Sequence, residues 1–537
     1  MFHSNYDKQP FIAVPDGTGC CVEGWDAVCD RLNQAVSARG AARTTVTVEC
    51  YTGVFEDEIV SSLQTLGPVR IVRSSRAFHP PDTVDQNVAP FDGGDDPVFG
   101  WMTNLRMSDF LDQSMTERLA AEIAEIDDGL VIVLGSGASL IHSGDILVYA
   151  DLARWEAQMR MRRDEISNLG VENRTLKWNL QYKRAFFTDW RVCDRLKREL
   201  MGRWDFVLDT NKPGEPRLAD GNAVRTGLKE AACRPFRVVP FFDPAPWGGQ
   251  WMKEVCDLDR SVDNYGWCFD CVPEEDSLLL KFGDTIMELP SIDVAFQEPR
   301  ALLGERVHAR FGDEFPIRFD FLDTMGGGHL SFQVHPLTEY IQQHFGMHYT
   351  QDESYYLLDA GADATVYLGT KEGVDPDAMA ADLQAAQRGE AECHEQARQV
   401  LGRIFTTGAE EEFKTITATV AEESAEKSRF ADLLQKRYRK PLIVAMALAA
   451  FAQFSGINVV FYYGTSMLET AGFKSDSALS GLTTERTDDS IRAKLPSVSR
   501  PVHHNRSRSR LRWRGVRRES RAAGFNQRAG NRLAGSR

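Results

Sequence analysis

The feature that most limits the fold of this chain is a run of 22 consecutive residues without a charge. Residues 442–463 read LIVAMALAAFAQFSGINVVFYY. A helix of about 20 apolar residues spans the hydrocarbon core of a bilayer, so the sequence predicts one transmembrane helix here. A buried core helix is the alternative interpretation of the same run.

The composition excludes a complete transporter. A twelve-helix transporter needs about 240 membrane-spanning residues at roughly 20 per helix. Only 42% of the 537 residues are hydrophobic, and that fraction must also fill the cores of the soluble parts. At roughly 150 residues per domain, a chain of this length is expected to form three or four units that are mostly soluble.

The charges divide the chain into two parts. The net charge is −16, but residues 486–537 hold 15 lysines and arginines against 3 acidic residues, which leaves a net of −28 on the preceding part. This acidic balance argues against nucleic acid as the main partner. The Arg-, Ser- and Gly-rich tail is predicted to be disordered. Ten cysteines and an N-terminus without a basic, apolar leader favour a cytoplasmic location for residues 1–395, with membrane anchoring through the one helix.

Sequence patterns divide the chain further. Strand-like and helical segments alternate at first, which favours an open and largely parallel sheet, with strands at 11–15, 44–51, 69–74, 130–137 and 145–152. Later strand-like runs are separated by Gly, Asp and Pro turns, which favours a β-sandwich. We predict an α/β domain at 1–235, a truncated jelly roll at 236–394, an amphipathic helical linker at 395–440, a transmembrane helix at 441–475 and a disordered tail at 476–537.

Two loops of the α/β region place glycines directly after predicted strands, where backbone amides are able to bind a phosphate. One contains Gly17 and Gly19, and the other contains Gly135 and Gly137. Neither loop ends in the Gly-Lys-Ser/Thr that a P-loop needs to reach phosphates and magnesium. Tight turns at strand ends are therefore the favoured interpretation.

A predicted helix after the strand at 145–152 is rich in arginine, at positions Arg154, Arg160, Arg162 and Arg163. It loosely resembles the lid of small nucleoside or sugar kinases, where arginines meet phosphate. A solvated basic helix is the favoured interpretation. With the P-loop lysine missing, the resemblance implies a kinase-like domain with a degenerate P-loop, without kinase activity.

The strongest chemical pattern is LSFQVHP followed by DESYYLLDA. Gln333 and His335 are two residues apart, so both side chains face the same side of a strand. Glu353 follows His335 by 18 residues, a distance that suits a return strand. An amide, an imidazole and a carboxylate that converge in this way predict a zinc half-site, and a jelly-roll remnant without zinc is the alternative. Cys268 and Cys271 form a CxxC pair without a second ligand pair, which favours ordinary packing.

These motifs, together with PWGG (246–249) and FPIRFDFLD (315–323), resemble class I mannose-6-phosphate isomerase over roughly 240–390. Chains of the longer bacterial branch of that family also carry an α/β region ahead of it. The resemblance implies a cupin-type jelly roll, one zinc ion and a sugar phosphate partner of the mannose 6-phosphate class. It also implies proton transfer between C1 and C2 of the open-chain sugar, with Gln333, His335 and Glu353 at zinc-ligand positions.

The sequence departs from the isomerase family at three places. The second zinc histidine, expected well downstream of Glu353 in a Pro-x-Gly-Thr-x-His stretch, is absent. A family lysine in the strand before the Gln-x-His motif aligns with Asp320, and a second lysine aligns with Gln351 or Asp352. We therefore expect an impaired isomerase or a non-catalytic carbohydrate-binding remnant.

The apolar run resembles a second family. Gln-Phe-Ser-Gly-Ile-Asn at 453–458, followed by Tyr462 and Tyr463, is similar to the seventh transmembrane helix of major facilitator sugar porters. The resemblance covers about 395–475 and implies that Gln453 and Asn458 contact a sugar. A fragment of a membrane sugar transporter is therefore the alternative function. The two resemblances meet near residue 390, which indicates a junction between two truncated sugar-metabolism sequences.

Overall fold

The computed structural model describes residues 4–94, 96, 98–330, 335–358, 360, 361, 364, 373–379 and 381 of the chain. All of them belong to one compact unit. The strands are β1 Phe11–Ala13, β2 Cys21–Glu23, β3 Arg43–Cys50, β4 Arg70–Arg73, β5 Gly129–Gly135, β6 Ile146–Asp151, β7 Phe206–Asp209, β8 Arg217–Asp220, β9 Phe241–Asp243, β10 Trp267–Phe269, β11 Ser277–Phe282, β12 Thr285–Pro290 and β13 Asp320–Leu322.

Helices cover the faces of these sheets and connect most of the strands. They are α1 Trp25–Arg39, α2 Glu56–Leu63, α3 Pro81–Val88, α4 Gln113–Ala124, α5 Ala138–Ile141, α6 Arg154–Arg162, α7 Trp178–Arg184, α8 Trp190–Leu200, α9 Gly221–Ala232, α10 Trp251–Val255, α11 Asp293–Gln297, α12 Pro299–Phe311 and α13 Thr338–Phe345. Helices α7 and α8 are joined by a π-helical turn at 185–189.

The largest sheet has seven strands in the order β2-β8-β7-β6-β3-β5-β4. The five strands from β7 to β4 run parallel, whereas β8 and β2 are antiparallel to their neighbours. Seven of the eight residues of β3 are buried. Its Thr- and Val-rich sequence suits a central strand because β-branched side chains pack well on a covered sheet. Strands β1 and β3–β6 overlap the five predicted segments.

Local sequence fixes the ends of several helices. The carboxylate of Asp112 accepts a hydrogen bond from the backbone N–H of Met115 and caps α4. Helix α1 ends at Gly40, whose φ of +62° is a left-handed conformation that glycine adopts at little cost.

Two smaller sheets complete the fold, and one of them connects the early part of the chain to the later part. Strand β1 pairs in parallel with β11, which pairs antiparallel with β12. This sheet therefore joins a strand from the predicted α/β region to two strands beyond residue 236. Strands β9, β10 and β13 form a three-stranded antiparallel sheet in which β10 is central. The complete jelly roll at 236–394 stays a prediction, since part of that range lies outside the described residues.

Candidate functional site

The structure brings two of the three predicted zinc ligands together. The Nε2 atom of His335 lies 2.8 Å from the Oε2 atom of Glu353. The two residues stand on opposite sides of α13 in the chain, and their side chains are 27% and 33% exposed. Solvent therefore reaches the pair. Gln333 lies outside the described residues, so its part in the site stays a prediction.

The surroundings of this pair are acidic. Burial and the negative charge of Glu353 raise the pKa of Asp320 to about 6. The hydroxyl of Tyr355 donates a hydrogen bond to Glu353, and its pKa is raised by burial and by that carboxylate. Asp320 stands where the resemblance places a family lysine. The arrangement favours a cation over the phosphate of a sugar, although the described residues contain no group of three His, Cys, Asp or Glu side chains that could hold a metal.

The loop after β5, which the sequence marks by Gly135 and Gly137, is a second polar centre. The backbone N–H groups of Gly137 and Ser139 donate hydrogen bonds of 2.6 and 2.8 Å to the carboxylate of Glu49. Glu49 is 2% exposed at the end of β3, and burial raises its pKa to about 7. The carboxylate of Glu49 therefore occupies the backbone N–H groups that a phosphate would need at this loop.

The arginines of α6 do not form a solvated basic helix, so that prediction is wrong. Arg154 is 2% exposed and pairs with Asp194 at 2.5 Å. Arg160 is fully buried and donates to the backbone oxygens of Gly53 and Thr210. The other two pair with carboxylates, Arg162 with Asp243 and Arg163 with Glu156 and Glu165. These arginines bind groups of the chain, which leaves no support for a phosphate-binding lid.

A buried cluster of charges lies where α8 meets the carboxyl end of β6. The Nζ atom of Lys197 is 2.8 Å from Asp151 and 2.9 Å from Asp293, and all three side chains are at most 1% exposed. Asp151 ends β6, whereas Asp293 begins α11. Burial raises the pKa of Asp293, and the neighbouring Asp151 carboxylate adds to the effect. This cluster, which we call the lysine cluster, ties the parallel sheet to the segment after β12.

A buried carboxylate also lies at the end of the neighbouring strand β7 and is bound by groups of the chain. Asp209, the last residue of β7, accepts hydrogen bonds from the backbone N–H groups of Asn211 at 2.9 Å and Glu288 at 3.0 Å. It is 1% exposed, and burial raises its pKa to about 6. Since β12 supplies Glu288, the carboxyl end of the sheet serves here as an internal contact surface.

The remaining sequence-marked groups have simpler surroundings. Cys268 is buried, and its thiol lies 3.5 Å from the hydroxyl of Tyr6, which agrees with ordinary packing. Gly17 donates its N–H to the oxygen of Val14 in a tight turn. Gln453, Asn458 and the predicted span at 442–463 lie outside the described residues. Among the helices in the described ranges, none combines the length and apolar character needed to cross a bilayer.

Sequence reasoning missed Glu49 and the lysine cluster. The signal for Glu49 is present, because a carboxylate interrupts the apolar strand 44–51 and a charge in such a strand requires internal partners. Lys197 gives no comparable signal, since its partners are 46 and 96 residues away in the chain.

Comparison with known proteins divides the chain into two matched regions. Residues 24–233 match a domain of unknown function, DUF8485. Residues 390–484 match the family described as "Sugar (and other) transporter". The first match falls within the predicted α/β domain and carries no activity with it.

Plant proteins named as sugar transporters are similar to the second region. Sugar transport protein MST2 of Oryza sativa subsp. japonica is 37% identical over 93 residues, which cover 16% of this chain and 18% of that protein. Sugar carrier protein C of Ricinus communis is 36% identical over 87 residues, covering 16% and 17%. Sugar transport protein 1 of Arabidopsis thaliana is 32% identical over 87 residues, also covering 16% and 17%.

The chain thus spans less than a fifth of the length of these curated relatives. The predicted similarity of the C-terminal region to sugar porters is confirmed over 390–484. These matches give no support to the isomerase resemblance, which stays a prediction. The comparisons thus show a partial match to the sugar transporter family, which follows a region that matches a domain of unknown function.

Proposed function

We propose that this chain is a membrane-associated sugar-transport protein or fragment, with an acidic body attached to a segment of a sugar porter. The observation that carries the proposal is the match of residues 390–484 to the sugar transporter family. The uncharged run 442–463 lies inside that match and has the length of a membrane span. The basic residues just before the run favour a cytoplasmic start for the proposed span under the positive-inside rule.

We propose that the segment attaches the chain to a membrane and contacts a sugar. Complete transport needs more of a transporter than this segment. Alternating access requires two halves that move around a central site. The matched segment corresponds to 16–18% of the length of four of these relatives. Gln453 and Asn458 are the proposed sugar contacts, because amides inside a bilayer are costly unless they face a cavity or a partner helix.

Membrane association is tested with the full chain. We expect the protein to stay in the membrane fraction after washing with high salt and with alkaline carbonate, and to be released by detergent. The variant A447D/A449D places two charges within the apolar run and should shift the protein to the soluble fraction, since each charge costs roughly 2.5–3.5 kcal/mol at the centre of a span. The variant S477D/S480D adds the same charges outside the run and should behave as the wild type. Recovery of the wild type in the salt-washed soluble fraction contradicts the proposal.

We propose a metal-dependent sugar-phosphate isomerase type of site as the second candidate function, on one specific observation. His335 and Glu353 converge at 2.8 Å with partly open side chains, and imidazole and carboxylate are ordinary zinc ligands. The two residues fit a zinc ion as part of a ligand set, with Gln333 as the proposed third member. A bound zinc would polarise the oxygens of an open-chain sugar. His335 and Glu353 would position the ion, and the neighbouring Asp320 adds a further acidic group beside it.

Zinc content and turnover distinguish an active site of this type from a remnant. The full chain, purified in detergent and analysed by elemental mass spectrometry, should contain close to one zinc per chain, and H335A should lose it. Conversion of mannose 6-phosphate to fructose 6-phosphate is then measured on the same samples. Zinc without turnover indicates a binding remnant, in which case sugar phosphate should still raise the melting temperature. A zinc-free wild type without turnover overturns this second function.

A further inference from the structure

The strand order places two loops at the point of an α/β sheet where ligands usually bind. Strand β3 lies between β5 and β6: after β3 the chain adds β4 and β5 on one side of it, and then β6 and β7 on the other side. In open parallel sheets, the crevice at the carboxyl ends of the strands around such a switch point is the usual ligand site. The loops that follow β3 and β5 begin at this point of the sheet.

Residues 135–139, which run from the last residue of β5 into the first turn of α5, already bind carboxylates. The N–H groups of Gly137 and Ser139 donate to the two oxygens of Glu49, which is 2% exposed. The N–H of Ser136 donates to the carboxylate of Glu56 at the start of α2. Three backbone donors within four residues therefore bind carboxylates, as they do for oxyanions in other glycine-rich loops.

A buried hydroxyl at the same loop independently indicates a polar ligand. Ser74 follows β4, is 1% exposed and has no hydrogen-bond partner for its Oγ atom among the described residues. A side chain added at Gly135 would collide with this Oγ atom and would approach the carboxylate of Glu56. The hydroxyl of Ser74 thus points at the loop, although an unpaired buried hydroxyl costs about 1–3 kcal/mol. While Glu49 occupies the N–H groups of the loop, the hydroxyl of Ser74 makes no hydrogen bond with a described residue.

We propose that residues 135–139 form an oxyanion site that the chain keeps closed with its own Glu49 carboxylate. A small oxyanion such as phosphate binds there when that carboxylate is removed, using the N–H groups of Gly137 and Ser139 and the hydroxyl of Ser74. The full-length wild type does not bind phosphate at this loop, because the side chain of Glu49 already occupies the N–H donors of Gly137 and Ser139. The inference concerns the α/β part and is independent of the transporter and isomerase proposals.

The test compares phosphate binding by the full-length wild type, E49A and E49Q. E49A frees the donors, while E49Q keeps the size of the side chain and removes the charge, so it remains informative if the cavity left by alanine prevents folding. Inorganic phosphate is titrated at constant ionic strength against chloride, and the melting temperature and titration calorimetry are recorded. We expect at least tenfold tighter phosphate binding by E49A than by the wild type, with E49Q in between. E117A, which removes an exposed carboxylate on α4, is the matched control and should bind phosphate no better than the wild type.

Comparison of E49A, E49A/S74A and E117A tests whether any new phosphate binding occurs at this loop. In E49A/S74A the gain should be reduced several-fold, because Ser74 no longer donates. Equal phosphate binding by the wild type and the folded E49 variants shows that Glu49 closes no site. If phosphate affinity rises equally in E49A, E49A/S74A and E117A, the rise is a general effect of removing negative charge. Either result overturns the proposal.

Discussion

The carboxyl edge of the parallel sheet and the His335–Glu353 pair are both rich in titratable groups. They differ in the exposure of these side chains and in the groups that bind them. At the sheet edge, Glu49, Asp151 and Asp209 are at most 2% exposed and are held by backbone amides or by Lys197. The side chains of His335 and Glu353 are about one-third exposed and lie next to a further acid. These three carboxylates have partners within the chain, whereas solvent reaches the second pair.

The difference indicates how to separate stabilising charges from functional ones. A buried charge contributes to the fold only while its partner is present, and loss of that partner leaves a large desolvation cost. A partly exposed pair contributes little to stability because water screens it. Substitutions at the sheet edge should therefore change stability far more than substitutions at His335, and zinc binding should show the opposite order.

The largest expected effect is at the lysine cluster. K197M keeps the length of the side chain and leaves Asp151 and Asp293 buried without their cation. We expect a loss of roughly 3–5 kcal/mol in the free energy of unfolding at pH 7, measured by urea denaturation of the full chain. Because burial raises the pKa of Asp293, protonation at pH 5 should reduce that loss.

K229M is the matched control for this substitution, since Lys229 is exposed on α9. It should change the free energy of unfolding by less than about 0.5 kcal/mol. Equal effects of K197M and K229M would show that the buried cluster does not stabilise the fold.

The contrast also explains what the sequence could predict. Periodicity located β1 and β3–β6, because apolar alternation and turn residues are local properties. The sequence predicts the convergence of His335 and Glu353 from a strand and a return strand, but the described residues around both have no strand, and α13 lies between them. The burial of Arg154 could not be predicted in this way, because its partner Asp194 comes from a helix 40 residues further on. The parallel pairing of β1 with β11 spans more than 260 residues and leaves no local pattern.

The second prediction concerns the pH dependence contributed by Glu49. Burial raises its pKa to about 7, so the folded chain keeps this proton at pH values where the unfolded chain has released it. The unfolded state then binds fewer protons, and stability falls as the pH rises from about 4.5 to about 7. We expect Glu49 to account for a decrease of about 2 kcal/mol between pH 5 and pH 8. E49Q should flatten the curve by that amount.

E117Q serves as the control for the pH series, because Glu117 is exposed on α4. Its unfolding curve should follow the wild type at every pH. If E49Q and the wild type lose stability in parallel between pH 5 and pH 8, the Glu49 carboxylate is not protonated in the folded chain near neutral pH, and the sheet edge is less enclosed than its geometry indicates.

The smallest expected effect on stability is at His335. H335A removes the 2.8 Å contact with Glu353, but both side chains are partly exposed, so the free energy of unfolding should change by less than about 1 kcal/mol. Zinc binding should respond in the opposite way, because loss of the imidazole removes a ligand that the remaining carboxylate cannot replace. Parallel measurement of urea midpoint and zinc content in H335A and H308A, a histidine of α12 that bonds the backbone oxygen of Gly312, separates the two roles. A large loss of stability in H335A with unchanged zinc would make this pair structural, like those at the sheet edge.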